Sequence, residues 1–289
     1  MARRSILPIR GYLLHITHYD PKWVAEKDHE KPFDLDVGLE VIEAMAEAEL
    51  NTLIIACSDG LKYKSHPELK RPYSVPMSVL KKLATAARAK DIQVIPKLNF
   101  SQSHFHQHNH WFRPHNKLFD NEEYYRLAFE VVDEILATVG KARYFHIGMD
   151  EDHSRSIRQY CRAIVTLRRL LKKRGLRTII WNDSANRWPA ADVHKEKSLA
   201  AEKVIPRDIV QVVWDYKRVQ PAILRRVRNE SFELWGAPGQ TPELVTKMRR
   251  ALLRLDGRGV LLTRWIPCIV KNRQTLLDGI RELGPLCKG

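Results

Sequence analysis

The stretch "RYFHIGMDED" (residues 143–152) is the clearest local indication of how this chain folds. A run typical of a buried strand ends at Gly148, and three consecutive carboxylates follow almost at once: Asp150, Glu151 and Asp152. Adjacent carboxylates repel one another, so they are found on solvated loops or where their charge is used in chemistry. The place of this strand among the others decides which applies.

Working outward from this stretch, short apolar runs alternate along the chain with longer amphipathic segments. The predicted strands cover 11–17, 51–57, 92–98, 143–148, 177–182, 209–214, 231–237 and 259–265. The predicted helices cover 36–50, 76–90, 121–139, 154–174, 190–203 (the weakest pattern), 218–228, 241–256 and 270–283.

Eight apolar strands, each followed by a helix, are typical of a closed parallel barrel. An open, doubly wound sheet is the structural alternative, but no GxGxxG turn follows the first strand. We therefore predict the α/β class and a (β/α)8 TIM barrel, with residues 1–289 forming a single domain.

Composition agrees with a globular protein. The 289 residues are 44% hydrophobic, and no run approaches the roughly 18 apolar residues of a membrane span, so no membrane association is expected. The basic-then-apolar N-terminus is interrupted by Arg10 and His15, which favours a first strand over a signal peptide. The four cysteines lack CxxC spacing, which argues against a zinc ribbon or disulfide scaffold and makes a cytoplasmic location the expectation.

The charge balance is strongly basic, with 49 Lys and Arg against 34 Asp and Glu, a formal net charge of +15. Much of the excess lies in helical segments such as "LRRLLKKRGLR" (167–177), which suits a solvated basic face. Attraction to an anionic polymer is the alternative. No nucleic-acid-binding motif is present, so a nucleic-acid partner is not expected.

In a parallel barrel the carboxyl ends of the strands form one rim, and barrel enzymes place their chemistry there. The carboxylates after the fourth strand belong to this rim. Four tryptophans at the ends of strands five to eight would add flat apolar walls, which suit sugar rings. The other predicted rim residues are Asn99, Trp181, Asn182, Asp183, Trp214, Asp215, Tyr216, Trp235 and Trp265.

At this point the sequence resembles a known family. "HIGMDE" (146–151) is similar to the His-x-Gly-Gly-Asp-Glu motif of glycoside hydrolase family 20, the β-N-acetylhexosaminidases. Three weaker matches support it: "RGYLL" (10–14), "VIPKLN" (94–99) and "LTRW" (262–265), which resemble the first, third and last barrel strands of that family.

The resemblance implies a retaining glycosidase in which the substrate's 2-acetamido oxygen is the nucleophile, with no required cofactor or metal. By that pattern Asp150 orients the acetamido group and Glu151 is the general acid and later the base. His146 supports the pair, and Arg10 grips sugar hydroxyls. The implied partner is a carbohydrate ending in a β-linked sugar, an N-acetylhexosamine. An acidic cluster at a helix N-terminus is the alternative interpretation of 150–152.

The sequence also departs from the family pattern. The usual Tyr-x-Asp of strand seven is replaced by "LWGA" (234–237), and Ile266 and Pro267 follow Trp265 where Trp-x-Glu is usual. Lys97 and Asn99 replace acidic residues on strand three. Tyr216 and Asp215 could substitute for the missing pair.

A histidine-rich segment, "SHFHQHNHWFRPH" (103–115), follows the third strand. Alternating histidines on extended chain share one face and could bind zinc or nickel. Two alternative functions therefore stay open: a metal-dependent barrel hydrolase, and a non-catalytic barrel that binds glycans or an anionic polymer. The histidines concerned are His104, His106, His108, His110 and His115, with His15 and His18 after strand one.

Overall fold

A computed structural model describes residues 5–16, 31–103, 110–187 and 192–289. Eight strands pair in sequence order, all in parallel, and the last pairs with the first to close the barrel. The predicted fold class is confirmed. The strands are β1 (Ile9–His15), β2 (Thr52–Ala56), β3 (Gln93–Lys97), β4 (Tyr144–His146), β5 (Arg177–Asn182), β6 (Val210–Asp215), β7 (Glu233–Pro238) and β8 (Gly259–Thr263).

In the part of the chain that the structure describes, each strand is followed by an α-helix that packs on the outside of the barrel. Each lies where the amphipathic pattern predicts it, with ends that differ by a few residues. The helices are α1 (Leu35–Glu47), α2 (Met77–Ala89), α3 (Glu122–Val139), α4 (Ile157–Lys172), α5 (Asp192–Val204), α6 (Pro221–Asn229), α7 (Pro242–Arg254) and α8 (Arg273–Leu283).

Side chains in the sequence fix where several helices begin. The Asp34 carboxylate accepts a hydrogen bond from the Val37 N–H at the start of α1. Ser156 and Gln159 form a reciprocal capping box at the start of α4. Thr241 caps α7, whose first residue is a proline. Such caps satisfy N–H groups that the first helical turn leaves without a partner.

The strand period of two divides the apolar residues between two cores. Outward-facing residues such as Leu14 and Ile55 pack under the helices. Inward-facing residues fill the barrel, so it is a packed core and not a pore. The inner cluster comprises Leu13, Ile54, Ala56, Ile95, Tyr144, Ile179, Trp181, Val210, Val212, Trp214, Trp235, Ala237 and Leu261, with Ile9, Tyr216 and Trp265 against it.

The loop after β2 carries structure of its own above the rim. Its two-residue strands, Leu61–Lys62 and Val75–Pro76, pair in parallel. A 3₁₀ turn at Pro67–Leu69 lies between them, and a 3₁₀ segment at His110–Leu118 contacts this turn from the loop after β3. Within the described ranges, no helix is long and apolar enough to cross a membrane.

Candidate active site

The backbone after β4 bends sharply through left-handed conformations. Gly148, Met149 and Glu151 have φ of 71°, 74° and 51°. A Cβ at position 148 would lie 2.2 Å from Asn99 Oδ1, so only glycine fits there. Positive φ costs a residue with a side chain on the order of 1–3 kcal/mol and is concentrated at functional sites. The bend sends three successive carboxylates in different directions.

The Asp150 carboxylate is buried and hydrogen-bonded to the Asn99 amide. Asn99 Nδ2 donates a hydrogen bond to Asp150 Oδ1 at 2.7 Å, and Asp150 is 6% exposed. The direction of this amide is fixed because Asn99 Oδ1 accepts from the backbone N–H groups of Ser101 (3.0 Å) and Met149 (3.3 Å). Asn99 therefore helps to fix the orientation of the Asp150 carboxylate.

Glu151 has an environment that favours its neutral form. Burial, followed by the charges of Asp150 and Asp183, raises the pKa of the Glu151 carboxyl to about 9. Its backbone N–H donates to Asp183 Oδ2 at 2.7 Å, which fixes the start of the side chain. At neutral pH Glu151 therefore carries a proton that it can donate.

Asp183, directly after β5, accepts hydrogen bonds from both Glu151 and Trp214. Its Oδ1 accepts from Trp214 Nε1 at 2.7 Å, while its Oδ2 accepts from the Glu151 N–H. Burial and the charge of Asp150 raise the pKa of Asp183 well above its usual range. Because both of its oxygens accept hydrogen bonds from the protein, Asp183 holds Glu151 and Trp214 in position.

Asp152, the third carboxylate of the run, lies in a cage of cations. Arg155 donates to Asp152 Oδ2 at 2.7 Å, and Lys197 Nζ lies 3.1 Å from Asp152 Oδ1. Arg155 also binds both oxygens of Asp120, at 2.7 and 2.8 Å. Despite its burial, the pKa of Asp152 is lowered, chiefly by the charge of Arg155. Asp152 is a structural anion. This network of ion pairs was not predicted from the sequence.

The alternative interpretation of residues 150–152 as a helix N-terminal cluster is wrong. α4 begins at Ile157 with Ser156 as its cap, and its first turn contains no acidic residue. The helix dipole acts within the first turn and does not reach these carboxylates.

Aromatic side chains from β4, β5 and the loops after β6 and β8 lie together inside the upper barrel. The His146 and Trp181 rings are 4.7 Å apart, and Trp265 lies 6.3 Å from Trp181. Trp265 Nε1 donates to the Tyr216 hydroxyl at 2.8 Å, and the Tyr216 ring lies 5.2 Å from that of Trp214. These rings form a flat apolar wall.

His146 is neutral and its tautomer is set by the backbone. The Gly148 N–H donates to His146 Nδ1 at 3.0 Å, so the ring proton is on Nε2. Burial and the charge of Lys97 hold the pKa of His146 well below its usual range. His146 Nε2 and Trp181 Nε1 are buried and have no hydrogen-bond partner within the described ranges, so both are donors for a bound molecule.

Lys97 and His15 belong to the same end of the barrel. Lys97 ends β3 and is 1% exposed; burial lowers the pKa of its ammonium to about 8, against the opposing effect of Asp150. The His15 ring lies 4.8 Å from that of Trp265. Side chains two residues apart on a strand face the same side. The inward-facing Leu13 and Ile95 therefore predict that His15 and Lys97 also face inward.

Three of the predicted site residues lie elsewhere, and these expectations are wrong. Arg10 is at the amino end of the barrel, where its guanidinium donates to the Glu49 and Leu7 carbonyls. Trp235 is deep inside, because β7 continues to Pro238 and Trp235 pairs with the first residue of β8. Asp215 follows the inward-facing Trp214 and so faces away, accepting from the N–H groups of residues 217 and 218.

The histidine-rich segment is described only in part. His18, His104, His106 and His108 lie outside the described residues. His115 lies in the 3₁₀ segment and contacts Glu68 in the loop after β2.

Comparison with known proteins finds similarity in fold. No protein-family model matches the sequence. No curated protein matches it either. Solved structures do match in fold, among them three with 14–16% sequence identity.

A chitobiase from Flavobacterium johnsoniae matches with a TM-score of 0.65 and 15% identity, over 97% of this chain and 52% of that one. The glycoside hydrolase family 20 β-N-acetylhexosaminidase from Streptomyces coelicolor matches at 0.68 and 16%, over 96% and 64%. Dispersin B matches at 0.61 and 14%, over 97% and 98%. The chain thus spans about half to two thirds of the first two proteins and nearly all of the third. It has the fold of the glycoside hydrolase family 20 barrel.

Proposed function

We propose that this protein is a retaining glycoside hydrolase that releases a terminal β-linked N-acetylhexosamine by substrate-assisted catalysis. One observation carries the proposal: two adjacent carboxyl groups at the carboxyl end of β4 have different environments. Asp150 is oriented by Asn99, while Glu151 has a pKa raised to about 9. Acid and anion side by side are what this reaction requires. The similar barrels named chitobiase and β-N-acetylhexosaminidase support the substrate class.

In the first step Glu151 is the general acid. Its proton passes to the glycosidic oxygen as the bond to the anomeric carbon breaks, and the 2-acetamido oxygen attacks that carbon to form a cyclic oxazolinium ion. In the second step the Glu151 carboxylate takes a proton from water, whose oxygen attacks the same carbon from the side that the leaving group vacated. The bond between this carbon and the acetamido oxygen breaks, which restores the neutral acetamido group and leaves Glu151 protonated again. Two displacements at one carbon give net retention.

Asp150 orients the acetamido group and stabilises its positive charge. Carboxylate oxygens accept hydrogen bonds, which suits the acetamido N–H. Lys97 lies close enough to Asp150 for their charges to interact: burial lowers the pKa of Lys97 to about 8, and Asp150 acts against this effect.

Tyr216 takes the place of the tyrosine that strand seven lacks. Its hydroxyl oxygen accepts from Trp265 Nε1 and still carries a proton to donate to the acetamido oxygen. The pKa of Tyr216 is raised chiefly by burial, and the charges of Asp150 and Glu151 add to this, as expected of a group that lies near the pair. Asp215 is not part of this substitution, because its carboxylate faces away.

The test is a panel of aryl glycosides with and without the 2-acetamido group, assayed on the wild type and on Glu151→Gln. We expect turnover of 2-acetamido substrates only. Glu151→Gln should slow poor leaving groups by roughly 10²–10⁴-fold and activated aryl groups far less, since these need little protonation. Glu243→Gln, an exposed glutamate paired with Lys247 on α7, is the matched control and should match wild type.

Two results would contradict the proposal. Equal turnover of 2-hydroxyl substrates would rule out substrate assistance. Binding of N-acetylhexosamine without turnover of any glycoside would favour the non-catalytic alternative.

A further inference from the structure

Two loops above the barrel rim bring two histidines and a glutamate together. His66 precedes the 3₁₀ turn of the loop after β2, and Glu68 lies within that turn. His115 comes from the 3₁₀ segment after β3. Glu68 Oε1 is 2.8 Å from both His66 Nδ1 and His115 Nε2, and one ligand atom from each residue lies within 4.8 Å of the other two.

The rings are held in place by their surroundings. His66 is 4% exposed, and its ring meets that of His115 edge-on at 5.8 Å. The buried Phe112 ring packs on the other side of His115, at 4.7 Å. Two imidazoles with fixed orientation around one carboxylate oxygen form a preorganised set of donors.

A second carboxylate supports the set from behind. His66 Nε2 lies 3.0 Å from Glu130 Oε2 on α3, and Arg126 donates to Glu130 Oε1 at 2.5 Å. A histidine that binds a metal through one nitrogen almost always donates the proton of the other to a carboxylate, carbonyl or water. His66 has this arrangement, with Nδ1 toward Glu68 and His115 and Nε2 toward Glu130.

We propose that His66, Glu68 and His115 bind one divalent transition-metal ion of the zinc class. Two imidazole nitrogens and a carboxylate oxygen are ligands that Zn²⁺ prefers, and three protein ligands leave a fourth position for water. The ion joins the loop after β2 to the loop after β3, so its role is to fix two loops at the rim. This site is distinct from Asp150 and Glu151 and independent of the proposed reaction.

The competing account of these contacts needs no metal. His66 would then only hydrogen-bond Glu68 through Nδ1 and Glu130 through Nε2. With a metal on Nδ1, His66 keeps the hydrogen bond from Nε2 to Glu130. The two accounts differ in whether Zn²⁺ is bound and in which residues that binding requires.

The test is titration of the full chain, stripped with a chelator, with Zn²⁺ by calorimetry and with Co²⁺ by visible absorption. We expect one ion per chain, four-coordinate Co²⁺ bands and a higher melting temperature with Zn²⁺, because a ligand that binds only the folded state stabilises it. Glu68→Gln should abolish the tight step, which is the binding of this one ion. Glu130→Gln should weaken it roughly 10- to 100-fold, the usual cost of losing such an outer partner.

Two controls keep the result interpretable. Glu122→Gln removes an exposed charge from the start of the same helix α3 and should leave binding unchanged. The triple variant His104→Gln, His106→Gln and His108→Gln should also retain the tight step. Absence of Zn²⁺ binding, or tight binding that survives Glu68→Gln and is lost in the triple variant, would overturn the proposal.

Discussion

Asp150 and Asp152 are separated by one residue, yet they lie in opposite electrostatic environments. Asp150 faces the upper barrel with Glu151 and Asp183, so that three carboxyl groups share one region with Lys97 as a buried cation. Asp152 lies between Arg155 and Lys197. The pKa of Glu151 and of Asp183 is raised, whereas that of Asp152 is lowered.

The difference shows that the positions of the cations, and not burial alone, set the charge state of a carboxyl group here. Asp152 and Asp183 are both fully buried, but only Asp152 has two cations against its oxygens. The left-handed backbone at Met149 and Glu151 is what separates neighbouring side chains into the two environments. One short segment therefore supplies both a protonated carboxyl group at the rim and an anchor for the loop.

The largest effect is expected at the anchor. Asp152→Asn leaves Arg155 and Lys197 buried without their shared anion, and breaking a buried pair from one side costs about 3–5 kcal/mol. Asp133→Asn is the matched control, since Asp133 is half-exposed and pairs with Arg174 on the surface. Its loss should be about 0–1 kcal/mol. Urea unfolding measures both, and equal losses would show that Asp152 is not an anchor.

A second effect appears only when the pH is varied, and its direction is opposite for the two carboxyl groups. The folded pKa of Glu151 is raised from 4.5 to about 9, so its contribution is complete below the lower value and is lost as pH rises through the upper one. The folded pKa of Asp152 is lowered from 3.8, so its contribution is present above that value and is lost as pH falls through the folded pKa.

Unfolding free energies should therefore separate the two variants. Glu151→Gln should lose less stability than wild type between about pH 5 and pH 9. Asp152→Asn should lose less than wild type on acidification below about pH 4. A Glu151→Gln curve parallel to wild type between about pH 5 and pH 9 would contradict the assignment of a raised pKa to Glu151.

The fold could be predicted from the sequence because its signals are local. Apolar runs for the strands, and caps such as Asp34 and Thr241 for the helices, fix the elements within a few residues. Their alternation then selects the barrel. The motif at 146–151 likewise points to the carboxyl end of β4, because its residues are contiguous.

The parts of the site that depend on depth or on distant residues could not be obtained this way. Trp235 was expected at the carboxyl end of a strand. Its depth in the barrel instead depends on the register of β7 against β8, in which Trp235 pairs with Gly259. The partners of Asp152 come from positions 155 and 197, and Lys197 is 45 residues away in sequence. Asp215 is different: strict alternation from the inward-facing Trp214 would have predicted that it faces outward.

The central claim is that Glu151, beside Asp150, is protonated at neutral pH, and its most direct test is a carboxyl titration. Glutamate side chains carrying ¹³C at the carboxyl carbon leave Asp183 and the other aspartates unlabelled, so NMR follows glutamates alone. We predict one resonance that titrates near pH 9 in wild type and in Glu243→Gln and is missing from Glu151→Gln. Titration of every glutamate below about pH 6, the range of ordinary glutamates, would contradict the account.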